Sequence, residues 1–319
     1  MNVHLTFDIE VWCNGWANLD EQFPTCYSRY VYGHSRRGNY ALPKTLEILS
    51  RYNLRGIFFV EPLFSARFGA EYLKRIVRLI DDAGQEVQLH LHPEWTDEIR
   101  PPILADVSKK RQHLTYYSLD EQVELIRFGK TLLEDALGKK ITAFRAGSYA
   151  ANTNTFQALA SNGITIDSSI NGCYPISAPE LVQEYGSARP FAAHGITTFP
   201  ISVFRDGFGQ MRPAQVGACS YREMRQALIS AQLSEWTDFV IVSHNFEMLK
   251  QGVTSPDFIV AKRFEALCSF LGENQRELPV TGFTTSGLHF LQPLQVKHPR
   301  AHLGGTALRH LEQIARRVI

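Results

Sequence analysis

The apolar and polar positions of the chain fall into two periods that take turns along its length. Residues 3–7, 56–60, 87–92, 141–145, 164–166, 197–203, 238–242 and 280–283 are short apolar runs that read as strands. Between them lie stretches of helical period. Leu73, Ile76, Val77 and Ile80 form one apolar stripe, and Leu119, Val123, Ile126, Leu133 and Leu137 form another that Gly138 closes. Pro43 stands in the first turn of a third helix, and further helices are expected over 156–160, 222–233 and 259–271. Strands alternating with helices from end to end predict a parallel α/β architecture. Residues 12–38, 101–115 and 171–217 read as long loops, and a loop of the first one's length implies a task.

No repeat or low-complexity linker divides the chain, so residues 1–290 are expected to form one domain. Residues 291–319 are expected to be a C-terminal extension. They carry a basic amphipathic helix over about 306–318, with Arg309, Arg316 and Arg317 beside Leu308, Leu311, Ile314 and Val318. Packing on the domain is the expected fate of that helix, in preference to a membrane surface.

Composition narrows the classes. The 319 residues carry a net charge of +1, and 44% hydrophobic with 20% charged residues is ordinary for a globular domain. The near-neutral balance gives no reason to expect nucleic acid or an acidic membrane as partner. Five scattered cysteines form no CxxC, which argues against a disulfide framework and a thiolate zinc site. No run approaches a transmembrane span, and the N-terminus enters a strand without a signal-peptide pattern. A cytoplasmic protein is expected; nothing sets its oligomeric state.

The residues capable of chemistry repeat one placement, just after a predicted strand. Asp8 and Glu10 follow the first, His90 and His92 the third, Arg145 the fourth, Asp167 the fifth and His244 a late one. In a β/α barrel those ends share one face, where active sites are built. His90 and His92 lie two apart in an extended chain, so their imidazoles project to the same side. Neutral imidazole is the commonest nitrogen ligand for zinc and similar ions. Asp8 and Glu10 share a face for the same reason.

Taken together these motifs resemble the polysaccharide deacetylase superfamily, the NodB-type fold of carbohydrate esterase family 4. Thr6-Phe7-Asp8-Ile9-Glu10 is similar to its Thr-Phe-Asp-Asp motif, and Phe58-Phe59-Val60 to its Thr-Phe-Phe strand. Residues 84–94 resemble its Gly-His-Glu-Ile…His segment, and 144–149 its Arg-x-Pro-Tyr motif. Asp167-Ser168-Ser169 and Ser243-His244 resemble its later motifs, so the likeness covers about residues 1–290. It implies a distorted (β/α)7 barrel, one divalent metal ion, and hydrolysis of an N- or O-acetyl group on a sugar.

Two departures reassign ligands. The family's second aspartate falls on Ile9, which cannot ligate, leaving Glu10 as the nearest substitute. The second metal histidine falls on Glu94, with His92 two residues earlier; nitrogen suits zinc, so His92 is the expected ligand. The expected metal set is Glu10, His90 and His92, with zinc as the ion. The resemblance further implies Asp8 as general base, His244 as general acid and a backbone N–H near Tyr149 for the oxyanion. Arg145 would orient Asp8, and Asp167 would offset a cationic group. Trp12, Glu94, Trp95 and Asn245 are expected to line the substrate, an acetylated sugar or glycan precursor of surface polysaccharide or glycolipid. Two other readings stay open: a catalytically degenerate barrel that binds glycan, for which Ile9 speaks, and a hydrolase of a non-sugar C–N bond.

Overall fold

The computed structural model describes residues 1–252, 254–283 and 297–318. The chain forms two compact units. One comprises residues 1–56, 202–282 and 297–319, the other residues 57–201 with 283–296.

In the first unit the strand Asn2–Ile9 pairs in parallel with Asp238–His244, in a register running from Asn2 opposite Asp238 to Asp8 opposite His244. Both strands are buried along nearly their whole length, hence their continuous apolar character. One of their polar residues, His4, is fully buried and bonds Asp238 Oδ1 at 2.9 Å and the Thr281 carbonyl at 3.0 Å. The expected last strand shrinks to a bridge between Val280 and Val3. Among the described residues, five helices of nine residues or more belong to this unit: Leu19–Tyr27, Leu42–Arg51, Tyr221–Leu233, Phe258–Glu273 and Leu303–Val318. Asp257 caps the fourth by accepting from the amides of Ile259 and Val260. The C-terminal helix packs on Tyr221–Leu233 through Arg309. Fully buried, Arg309 meets Asp206 Oδ2 at 2.8 Å and Glu223 Oε1 at 3.0 Å.

In the second unit Gly56–Val60, Glu86–Leu91, Ala143–Ala146, Ile166–Asp167 and Ile196–Thr198 are parallel neighbours in that order. Phe191–Ala193 adds an antiparallel edge. The helices Ala70–Asp82, Leu119–Leu137 and Thr153–Ser161 follow the stripes read from sequence. Capping boxes at Ser118/Glu121 and Asn152/Thr155 fix the starts of the last two.

Two expected loops carry more structure than their composition suggested. Residues 12–38 contain the helix Leu19–Tyr27, continued by a wider turn at Ser28–Tyr32 and a short hairpin at 34–39. Its buried Leu19, Phe23, Cys26 and Tyr27 have helical spacing, masked by Pro24 and the surrounding polar residues. Residues 171–217 contain the helix Pro179–Tyr185 and the hairpin Val203–Arg205 with Met211–Pro213.

Candidate functional site

Parallel pairing builds the first unit's cluster. Because Asp8 lies opposite His244, the carboxylate and the imidazole stand side by side, Oδ2 to Nε2 at 3.9 Å. Donor atoms of Asp8, Glu10 and His244 all lie within 4.8 Å of one another. Asp8 and Glu10 are both buried. Trp12 Nε1 donates to Glu10 Oε2 at 2.6 Å. Asn245 braces the backbone of this motif: its Oδ1 accepts from the Glu10 amide, and its Nδ2 donates to the carbonyls of Glu10 and Tyr30.

The far side of the imidazole is held by a residue that the sequence motifs did not single out. Glu247 Oε1 meets His244 Nδ1 at 2.9 Å and Gln215 Nε2 at 2.6 Å, while its Oε2 receives the Gly217 amide and the Ser243 hydroxyl. A Cβ on Gly217 would come within 2.7 Å of Glu247 Oε2, so a side chain here would push the carboxylate from its present place. Burial disfavours charge on His244, but the bond from Glu247 and the charges of Glu10, Glu247 and Asp8 outweigh it. Together they lift the imidazole to about 9. At neutral pH it carries a proton on both nitrogens.

The second unit holds two other histidines against different partners. His90 lies opposite Arg145 in the parallel register, and its Nδ1 bonds the Arg145 carbonyl at 2.8 Å. A carbonyl can only accept, so Nδ1 carries a proton, and in the neutral ring the lone pair is on Nε2. That is the tautomer in which a second partner orients a metal ligand. His92 follows on the same strand face, with ring centroids 4.7 Å apart, and its Nδ1 meets Glu94 Oε2 at 3.2 Å. The turn Gly147–Tyr149 packs on this ring, since a Cβ on Gly147 would fall 2.6 Å from His92 Nδ1. Within the turn Ser148 (φ 55°) and Tyr149 (φ 58°) are both left-handed, a conformation that costs roughly 1–3 kcal/mol each. Strain stored in consecutive non-glycine residues marks a turn whose backbone direction matters. Two buried imidazoles, one with its Nδ1 held by a carbonyl, fit a borderline divalent ion such as zinc.

The remaining predicted residues of this unit are bound into its interior. Arg145 is fully buried, donates to the carbonyl and hydroxyl of Ser168, and lies 4.3 Å over the Phe59 ring. Asp167 accepts from the amide and hydroxyl of Ser169; burial raises its carboxyl to about 6, against the pull of Ser169 and Arg145. Trp95 is 1% exposed and packs edge-on against Phe68. Tyr149 packs its ring 5.0 Å from Tyr174. Glu61 was missed by the motif reading. It stands directly after the strand Gly56–Val60, accepts from the Leu63 amide, and is raised to about 8 by burial. Its position after a strand is the same signal that found the other clusters.

No family model and no curated protein matches the chain. Solved structures do. A protein assigned as a polysaccharide deacetylase from Mycobacterium smegmatis is similar at 19% identity, over 90% of this chain and 94% of that one, with a TM-score of 0.54. A family 4 carbohydrate esterase from Streptomyces lividans, in complex with acetate, aligns at 14% identity over 92% and 98% of the two chains, with a TM-score of 0.45. A family 4 pseudoenzyme from Bacillus anthracis aligns at 15% identity over 94% of this chain and 69% of that one, at 0.42. The fold of this chain is therefore the α/β fold of the polysaccharide deacetylase type, the (β/α)7 class that the motifs implied. Among the described residues no helix is long and apolar enough to cross a membrane.

Proposed function

We propose that the protein is a metal-dependent deacetylase that hydrolyses an acetyl group on a sugar. The observation that carries this reading is the pairing of Asp8 with a His244 that Glu247 holds from behind. A base and an acid of opposite charge, side by side, are what hydrolysis of an acetyl group needs. Asp8 takes the proton of the attacking water. His244, lifted to about 9, is protonated at neutral pH and delivers the Nε2 proton to the leaving amine or alkoxide. Glu247 keeps Nδ1 engaged, so the ring does not turn as it gives the proton up.

His90 and His92 are the proposed nitrogen ligands of one divalent ion, zinc by its preference for imidazole, and Glu10 is the proposed carboxylate ligand. The ion would polarise the acetyl carbonyl and lower the pKa of water toward roughly 7. The strained turn at Ser148 and Tyr149 supports the oxyanion role proposed for the backbone there. Trp12, bonded to Glu10, is the proposed sugar-facing aromatic. An acetylated glycan precursor met in the cytoplasm is the proposed substrate.

Ile9 favours a second reading, binding without turnover. It occupies the place of the motif's second aspartate and is 1% exposed, within the core. Acetate release from a panel of N- and O-acetylated sugars, after zinc loading and with metal content measured, separates the two. Zinc-dependent release lost in Asp8→Asn supports the deacetylase. Sugar binding without release from the zinc-loaded wild type overturns it.

A further inference from the structure

The first unit carries an open cavity of about 490 Å³ that has His244 on its wall and continues along Phe246 to Gly252. This volume lies in the range of small-molecule sites. Tyr30 and Phe246, in T-shaped contact at 5.3 Å, give it an apolar side. Lys250 and Arg316 give it a cationic one, the latter reaching in from the C-terminal helix Leu303–Val318.

The charges of the lining do not cancel. Glu247 is its acidic member, and both of its oxygens are committed to His244, Gln215, Ser243 and the Gly217 amide. Arg316 is anchored: Nε donates to Asp257 Oδ2 at 2.6 Å and Nη1 to the Gly217 carbonyl at 3.2 Å. A guanidinium held this way keeps its plane fixed, which favours recognition of planar or tetrahedral oxyanions. Among the described residues no carboxylate pairs with the half-buried ammonium of Lys250. A cavity with one apolar wall, a fixed guanidinium and an ammonium that no carboxylate neutralises suits a sugar bearing a negative group.

We propose that this cavity binds an anionic substituent, phosphate or carboxylate, carried by the acetylated sugar, with Lys250 and Arg316 as its specificity residues. The proposal rests on the deacetylase reading for the sugar and on the cavity alone for the anion. The substrate class it names is the charged one: a sugar phosphate or a uronic acid in place of a neutral glycan. The apolar wall at Tyr30 and Phe246 would take the ring's less polar face while the anion reaches Lys250.

The test uses the full-length, zinc-loaded protein and four probes: inorganic phosphate, N-acetylglucosamine, its 1-phosphate and N-acetylglucosaminuronate. Binding is measured by calorimetry and acetate release is followed in parallel. A hydrogen bond to a charged partner is worth about 1.5–3 kcal/mol, or roughly 10- to 100-fold. Lys250→Gln should therefore weaken at least one anionic probe about 10-fold or more and leave neutral N-acetylglucosamine unchanged. Lys250→Arg, which keeps the charge, should retain most of the affinity. Preference for the 1-phosphate or for the uronate identifies which anion is read, and either supports the site. Equal affinity of wild type and Lys250→Gln for every anionic probe overturns it. Lys250-dependent phosphate binding with no acetate released from any sugar sinks the deacetylase reading and leaves the anion site standing. Release that is indifferent to charge and to Lys250 does the reverse.

Discussion

His244 of the first unit and His90 of the second are the same side chain at the end of a parallel strand, held for opposite purposes. At His244, Nδ1 faces the carboxylate of Glu247 while Asp8 and Glu10 lie nearby, and the ring is kept cationic to about pH 9. At His90, Nδ1 faces a backbone carbonyl, which fixes a proton on that nitrogen and points Nε2 the other way. The partner of Nδ1 differs between the two as their proposed roles do, a carboxylate behind the acid and a carbonyl behind the ligand; His92, with Glu94 at its Nδ1, shows that a carboxylate can stand behind a proposed ligand as well.

The largest expected effect breaks the acid–base half. Asp8→Asn and His244→Ala should each lower acetate release about 10²- to 10⁴-fold, and the double variant should lose far less than the product. Glu247→Gln sharpens the point. In the wild type an acid with a pKa of about 9 stays protonated through neutral pH, so activity falls as pH rises through about 9. Without the carboxylate that limb should move to lower pH, and an unmoved alkaline limb would remove Glu247 from the assignment.

The ligand half is probed by Glu94→Ala. Loss of a residue that orients a metal histidine typically costs 10- to 100-fold in affinity, and a zinc titration should show a loss of that size. If Glu94 itself ligates in place of His92, then His92→Ala should leave zinc binding nearly intact. The titration of His244 should be unaffected by either change.

A stability difference should accompany these. Glu61 is raised from its ordinary 4.5 to about 8 by burial, so the folded state resists its ionisation. Its contribution is therefore greatest below about pH 4.5 and is lost as pH rises through about 8. Urea denaturation of Glu61→Gln across that window should show a flatter decline than the wild type. A parallel decline in both proteins would clear Glu61 of any part in it. The smallest effect is local: Ser118→Ala removes the cap of Leu119–Leu137 and should cost about 1 kcal/mol with zinc binding unchanged.

Strand ends were legible from apolar runs, and with them Asp8, His90, His92, Arg145, Asp167 and His244. Glu61 obeys the same rule and escaped because it stands as a lone acid before a proline, with no second polar residue to form a motif. Glu247 escaped for another reason. It acts across a turn, three residues after His244, and the glycine that admits it comes from position 217. Such partnerships are made by tertiary approach and leave no period in the sequence. The helix Leu19–Tyr27 was legible in principle, for its apolar residues keep helical spacing, but Pro24 reads as a breaker. Buried histidine alone also misleads: His4 has two polar partners, and both belong to the brace between strand and core.

The register that joins Asn2–Ile9 to Asp238–His244 imposes a timetable on synthesis. At the ribosome's pace of about 5–20 residues per second, the pairing with Asp238–His244 waits on the order of 10–50 s after the first strand is made. Residues 57–201, unbroken in sequence, have every strand of their parallel set well before then. The side of the N-terminal strand that Asp238–His244 will cover is thus among the earliest edges to appear and the last to be paired, an apolar edge for a chaperone to cover. Limited proteolysis of chains stalled before residue 238 should find residues 57–201 protected while residues 202–237 are still cleaved; equal protection of the two stretches would refute the timetable.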